Sequence, residues 1–370
     1  MPRKPYRVEV NYPKTGKPKY FLVKDVKVKG KKRKIRKYIG SGFVAPSASD
    51  VEHYRKKYAY NIELRAAKKR AELSSGLYHY QYLDAEQLRA IEEIRHIYKT
   101  FTSLLTTDET SYYEQDFEVN YVKGTTSIEG NTFSLEETHD LLVNNLAPKE
   151  KPLREINEVQ NFRKVKTYRD KYRGKISVNF IKTLHSLIMS NIDLESAGAF
   201  RRIDDVGITG CDLAVTPAIM IEPELNKIID DYYKRIDEGY HPFEEIVMFH
   251  YKFEMIHPFT DGNGRVGREI FNCMLTRNGY PRLLFLGSER DTYIGALRLG
   301  NNEKNAPMIE LFSDLIIEQR LSILTKNLER VVVAPQKTGQ LRLTDFYEKT
   351  IDDAVAVERP VLNEQSQRVK

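Results

Sequence analysis

The string HPFTDGNGRVGR, from His257 to Arg268, constrains this chain more than any other stretch. A helical pattern opened by Pro242, FEEIVMFHYKFEMI, runs straight into it, and another, RVGREIFNCMLTRNG, leaves it. The string is too polar for a core element, so it reads as a loop held between two helices. DGNG offers successive backbone N–H groups unhindered by large side chains, because glycine reaches conformations closed to other residues. Such a nest at a helix N-terminus binds anions. Arg265 and Arg268 place two guanidiniums on the first helical turn, where they oppose the helix dipole. A bound polyphosphate would offset that cost. Asp261 supplies a hard oxygen for a Mg²⁺ ion that takes its other ligands from phosphates and water. His257 is then the natural base, since an ordinary imidazole pKa of about 6.5 suits proton removal from a hydroxyl at neutral pH. Phe259 is expected to point inward and anchor the loop.

The rest of the sequence supports a helical frame around this loop. The chain has 370 residues, 41% hydrophobic and 30% charged, enough for a sizeable core. No run approaches the ~18 apolar residues that span a bilayer, and MPRKPYRVEV lacks an apolar signal core. A cytoplasmic protein with no membrane partner is the expectation. With only Cys211 and Cys273, a disulfide framework is not expected. Residues 1–40 hold 15 Lys or Arg against Glu9 and Asp25, a charge of +13, whereas the whole chain carries +7. The basicity is therefore a local feature of the N-terminus.

Residues 1–45 read as a small antiparallel β module. YRVEVNY, KYFLVKDVKVKG and KIRKYIG alternate apolar and polar residues, separated by the turns PKTGKP and GKKRK. Residues 46–83 read as a linker and a charged helix. From Asp84 to about residue 330 helices dominate. Ser134 opens the capping box SLEE with Glu137, and Ser177 is placed to cap VNFIKTLHSLIMS. ELNKIIDDYYKRIDEG begins at Pro223 and ends at Gly239, and the helix after the loop stops at Gly279 with Pro281 beyond. Helices over about 290–299 and 307–329 complete the bundle, and residues 331–370 read as a tail.

The loop resembles the signature of the Fic family, H-x-F-x-[DE]-G-N-G-R-x-x-R, with every fixed position filled by His257, Phe259, Asp261, Gly262, Asn263, Gly264, Arg265 and Arg268. The likeness extends over residues 84–330. It implies a mainly α, Fic-type helical bundle with a small β-hairpin flap, preceded here by the β module. It also implies a nucleotidyltransferase that moves AMP from ATP, with Mg²⁺, to a Ser, Thr or Tyr hydroxyl of a target protein. By that likeness His257 is the catalytic base and Asp261 holds the metal. Gly262, Asn263 and Gly264 cradle the phosphates, Arg265 supports the β-phosphate and Arg268 the γ-phosphate.

TTSIEGN, from Thr125 to Asn131, resembles the family's inhibitory motif [ST]-x-x-x-E-[GN], filled by Thr125, Glu129 and Gly130. The resemblance implies that Glu129 pairs with Arg268 and denies the γ-phosphate its guanidinium fork. GAFRRIDDVGITGCDLAVTPA resembles the family's G-x-[FY]-R element, through Gly198, Phe200 and Arg201, followed by a target-aligning flap. The target-facing edge of that flap is expected at Ile208, Thr209, Gly210, Cys211, Asp212 and Leu213, able to pair with an extended peptide by strand addition. RDTYIGALRLGNN resembles a segment that brings Tyr293 and Asn301 to the nucleoside.

Alternatives remain at this stage. The same fold can remove AMP from a modified protein, and the loop reads phosphates rather than a base, so another nucleotide could replace ATP. An interaction module with a nucleotide-sensing site is the alternative from a different class. The basic residues 1–40 suit the phosphates of a nucleic acid. A lysine-rich solvated sheet that protects its edges is the commoner use of that pattern, and an acidic protein or a homodimer partner would fit the same patch.

Overall fold

The computed structural model describes residues 6–208, 214–300 and 306–333. Three antiparallel strands, β1 (Arg7–Asn11), β2 (Lys19–Val28) and β3 (Lys31–Ser41), form a sheet in the order β1-β2-β3. The register runs Arg7 to Val23 and Asp25 to Lys34, with an irregularity between Tyr20 and Phe21. Alternation puts Tyr20, Leu22, Val26, Ile35 and Ile39 on one face, where they pack with Ile62, Ala66 and Leu73 of α1 (Ala48–Ser75). The other face mixes the Phe21–Tyr38 ring pair and Val23 with a charged cluster. Glu9 bonds Arg7, Lys34 and Arg36 there, and Asp25 bonds Arg7, so part of the basic charge is neutralised within the sheet.

The charged helix expected after the linker is α1, and it does more than connect. It covers the sheet and also packs on α2 (Ala85–Thr102) and α12 (Ser322–Val333). Ser47 caps α1, and Asp84 caps α2, each as half of a capping box. The box expected at Ser134 with Glu137 opens the short α4 (Leu135–His139), and Ser177 caps α6 (Val178–Ile188).

A single large core joins the helices from α2 to α12. At its centre lie α8 (Pro242–Ile256) and α9 (Asn263–Arg277), the two helices that flank the loop. Around them stand α3 (Thr107–Ile128), α5 (Leu153–Lys171), α6, α7 (Ile221–Asp237), α10 (Arg290–Gly300) and α11 (Ala306–Ile316). The helix expected over 307–329 is a helical run over 306–333 that contains a π-helical turn. That turn, over Ile317–Leu321, separates α11 from α12, and it buries Arg320 over the Phe117 ring. Periodicity alone carries no sign of that turn. α12 also runs to Val333, past the point where a tail was expected. Asn301 and residues 209–213 of the expected flap lie outside the described residues. The flanking Val206–Ile208 and Ala214–Pro217 carry no strand, and Ile208 is buried.

Candidate functional site

The loop starts where α8 ends. His257 caps α8 in the left-handed region, φ 48° and ψ 62°, with its N–H donated to the Phe253 carbonyl at 3.0 Å. A non-glycine residue there costs of the order of 1 kcal/mol, so its neighbours must hold it. Arg201 does much of this. Its guanidinium is buried and donates to the carbonyls of His257 at 2.8 Å and Ile256 at 3.3 Å, the uncapped end of α8. It also donates to the carbonyls of Ile203 and Thr216, so both stems of the expected flap are tied to the base of the loop.

Phe259 is fully buried, as expected. Its N–H donates to Asn263 Oδ1 at 2.9 Å, and Asn263 Nδ2 donates back to its carbonyl at 2.8 Å. The Asn263 side chain therefore staples the loop, rather than facing outward. The Phe259 ring stacks on His185, with centroids 3.7 Å apart and planes within 2°. His185 Nδ1 accepts from the Gly198 N–H at 2.8 Å, so its proton sits on Nε2 and is donated to the Asp261 carbonyl at 3.0 Å. Burial holds the His185 pKa down to about 4, which keeps that neutral tautomer. Gly262 takes φ 82°, and a Cβ there would sit 3.1 Å from Met189 Sδ. The sequence did not single out His185, which orients Asp261 from a separate helix.

The charged groups converge on the N-terminus of α9. The Asp261 carboxylate receives the Gly262 N–H at 2.5 Å and Arg265 Nη2 at 2.9 Å on Oδ1, and Arg154 Nη2 at 2.6 Å on Oδ2. Burial works to raise its pKa, but Arg265, the Gly262 N–H and Arg154 outweigh it and leave it below the ordinary range. Arg265 is almost wholly buried, and its Nε and Nη1 have no hydrogen-bond partners, although Glu158 Oε1 lies 3.4 Å from Nη1.

Arg268 is buried as well. Its Nε donates to Thr125 Oγ1 at 2.8 Å, and its Nη2 donates to the Thr125 carbonyl at 3.0 Å and to Glu129 Oε1 at 2.6 Å. Glu129 is the residue that ends α3. Burial works to raise its pKa, and Arg268 and Arg265 turn the balance downward, so it stands as a carboxylate. A Cβ on Gly264 would meet Glu129 Oε1 at 2.6 Å and Arg268 Nη1 at 2.8 Å. The glycine thus leaves an opening in front of the guanidinium, and the carboxylate fills it.

Burial lowers the His257 pKa to about 4, with the Glu254 carbonyl pulling the other way. The imidazole is therefore neutral and able to accept a proton across the physiological range. Tyr293 turns its hydroxyl inward, 2.9 Å from His250 Nε2. Behind the loop, burial pushes the Glu254 carboxyl up to about 7, and its Oε1 has no hydrogen-bond partner.

These residues suit a nucleoside polyphosphate with a divalent cation. The space at Gly264 in front of Arg268 already holds the anionic group of Glu129, and Arg265 Nε and Nη1 have no hydrogen-bond partners. Among the described residues there is no cluster of three or more His, Cys, Asp or Glu able to hold a metal. A cation at Asp261 would take its remaining ligands from phosphate oxygens and water, which is the habit of Mg²⁺.

Residues 175–275 match the model of the Fic/DOC family. That segment of the chain, which includes α8, the loop and most of α9, is similar to a Fic domain. Its neighbours among solved structures have the same fold: a Fic-domain-containing signalling protein from Bacteroides thetaiotaomicron aligns with TM-score 0.56 and 22% identity over 64% of this chain and 97% of that one. Fic-1 from Caenorhabditis elegans aligns with TM-score 0.55 and 22% identity over 80% of this chain and 91% of the other. In sequence, the chain is 29% identical to protein adenylyltransferase fic-1 of C. elegans over 59% of its own length and 43% of the relative. It is 26% identical to protein adenylyltransferase Fic of Drosophila ananassae over 63% of its length and 47% of the relative. The chain thus spans less than half the length of these relatives.

Proposed function

We propose that this Fic domain transfers AMP from ATP to a Ser, Thr or Tyr hydroxyl of a target protein, and that Glu129 holds the reaction off. The observation that carries the reading is the 2.6 Å bond between Glu129 and Arg268 across the opening at Gly264. A carboxylate stands where an anion would bind, on the same helix N-terminus that carries Asp261 and lies one loop from His257.

In the reaction, the neutral His257 accepts the proton of the attacking hydroxyl as its oxygen bonds to the α-phosphorus. The bond from that phosphorus to the leaving pyrophosphate breaks. Arg265 and Arg268 meet the charge that develops on the leaving group, and the buried stack of Phe259 on His185 keeps their loop rigid. Asp261 would hold a divalent cation, which would supply further neutralisation of phosphate charge. Glu129 must first give up Arg268, because one guanidinium edge cannot serve both a carboxylate and a terminal phosphate.

The test uses the Glu129→Gly protein with Mg²⁺ and ATP labelled at either the α or the γ phosphorus. Label entering protein from the α position alone is expected. Adding His257→Ala should lower the rate by about 10²- to 10⁴-fold, the usual worth of a positioned general base. Label from the γ position, or labelling that survives His257→Ala, would overturn the assignment. Loss of pre-attached AMP that requires Glu129 would turn the reading to AMP removal.

A further inference from the structure

Asp261 is served by two arginines of different character. Its Oδ1 is fully engaged, by the Gly262 N–H at 2.5 Å and by Arg265 Nη2 at 2.9 Å. Arg265 is sealed in, with 2% of its side chain exposed, and Glu158 lies beyond it. Nothing about that contact is free to change. Oδ2 receives Arg154 Nη2 alone, at 2.6 Å. Arg154 stands on the first turn of α5, 107 positions away in sequence, and 59% of its side chain is exposed. Its Nε also bonds Glu158 Oε1 at 3.2 Å, one turn along the same helix.

The geometry points to Arg154 as a removable counter-ion: it occupies the outward oxygen of Asp261 and leaves when a divalent cation arrives with the nucleotide. The inference rests on the proposed role of Asp261 as the metal-bearing carboxylate. A guanidinium does not deprotonate in a protein, so it must move to yield the place. Mg²⁺ needs its oxygen at about 2.1 Å, and two positive centres on one carboxylate oxygen repel. Arg265 cannot leave, because it is buried and braced. Arg154 can, because its side chain is mostly in solvent and Glu158 keeps a second partner for it. Arg154 therefore sets the cation concentration at which the site fills, and it keeps the carboxylate compensated before filling.

Mn²⁺ binding tests this without turnover. The full chain with Glu129→Gly is titrated with Mn²⁺ in the presence of a non-hydrolysable ATP analogue, and free Mn²⁺ is followed by electron paramagnetic resonance. Arg154→Ala should tighten Mn²⁺ binding about two- to fivefold, the competition expected from an exposed ion pair. Lys151→Ala is the control. Its ammonium bonds the Thr132 carbonyl at 2.8 Å rather than Asp261, so its loss should leave the Mn²⁺ affinity unchanged. Unchanged affinity in Arg154→Ala, or equal tightening in Lys151→Ala, overturns the proposal. Weaker Mn²⁺ binding in Arg154→Ala, together with weaker binding of the analogue alone, overturns it in favour of a phosphate-holding arginine. Asp261→Ala separates this failure from that of the underlying reading: Mn²⁺ binding that survives it removes the metal from Asp261 altogether.

Discussion

Two clusters of arginine and glutamate draw on α9 in this protein, one through Glu269 and the other through Arg265 and Arg268. In the first, Arg169 bonds Glu118 at 2.9 Å and Glu269 at 2.8 Å. Arg282 bonds Glu118 and Glu114, each at 2.7 Å, with its guanidinium 4.1 Å over the Phe117 ring. Arg169 also reaches Asp170 at 3.4 Å, so it has three carboxylates and Arg282 has two, and Glu269 Oε2 has no hydrogen-bond partner. In the second cluster, Arg265 has donors without hydrogen-bond partners, and Arg268 has one carboxylate that comes from the end of a helix. A third arginine, Arg154, rests on Asp261 from the solvent side. The first cluster ties α3, α5 and α9 together. The second leaves Arg265 Nε and Nη1 without hydrogen-bond partners, and it is the one built around a left-handed histidine and an opening at a glycine. The same residue types make a structural tie where the donors are filled, and the proposed binding site where they are not.

Stability measurements sharpen this contrast most. Arg169→Ala strips a counter-ion from two buried carboxylates and should cost about 3–5 kcal/mol in urea unfolding. Arg265→Ala should cost clearly less, because several of its donors already lack partners. Equal losses would break the distinction between the clusters.

A smaller effect concerns pH. Burial holds the His257 pKa in the folded chain at about 4, below the ordinary imidazole value of 6.5. Transfer by Glu129→Gly should hold steady from about pH 6 to 8 and fall only near pH 4, where the imidazole takes up a proton and ceases to be a base. Stability follows the same sign. The folded chain resists protonation of His185, His250 and His257, whereas the unfolded chain accepts it near 6.5, so stability is present above that pH and is lost as pH falls toward 4. A rate limb near pH 6.5 would mean that His257 is exposed to water during the reaction.

The reach of the sequence differs between these parts. The loop is legible because its parts are contiguous: His257, Phe259, Asp261 and the glycines stand within one turn and one helix start. The pairing of Glu129 with Arg268 spans 139 positions, and only the resemblance of TTSIEGN to a known motif brought it forward. Caps at Ser134 and Ser177 were legible because they are local hydrogen bonds between residues three apart. Arg154, Glu158 and His185 were not, since they meet the loop from α5 and α6 and none carries a pattern of its own. The π-helical turn at Ile317–Leu321 escaped for the related reason that apolar spacing is nearly the same on either side of it. Asn263 was read as part of the phosphate cradle, and its side chain is taken up by the Phe259 backbone, which leaves its N–H for that purpose.

Glu129 has the proposed role of a brake. That role is tested most directly by the rate of α-labelled ATP transfer in the wild-type chain and in Glu129→Gly, measured over a range of ATP concentrations. Removing a charge-assisted bond of this kind should raise the maximal rate about tenfold or more, with smaller change in the ATP concentration that half-saturates it. Equal rates, or a slower Glu129→Gly protein, would contradict the account.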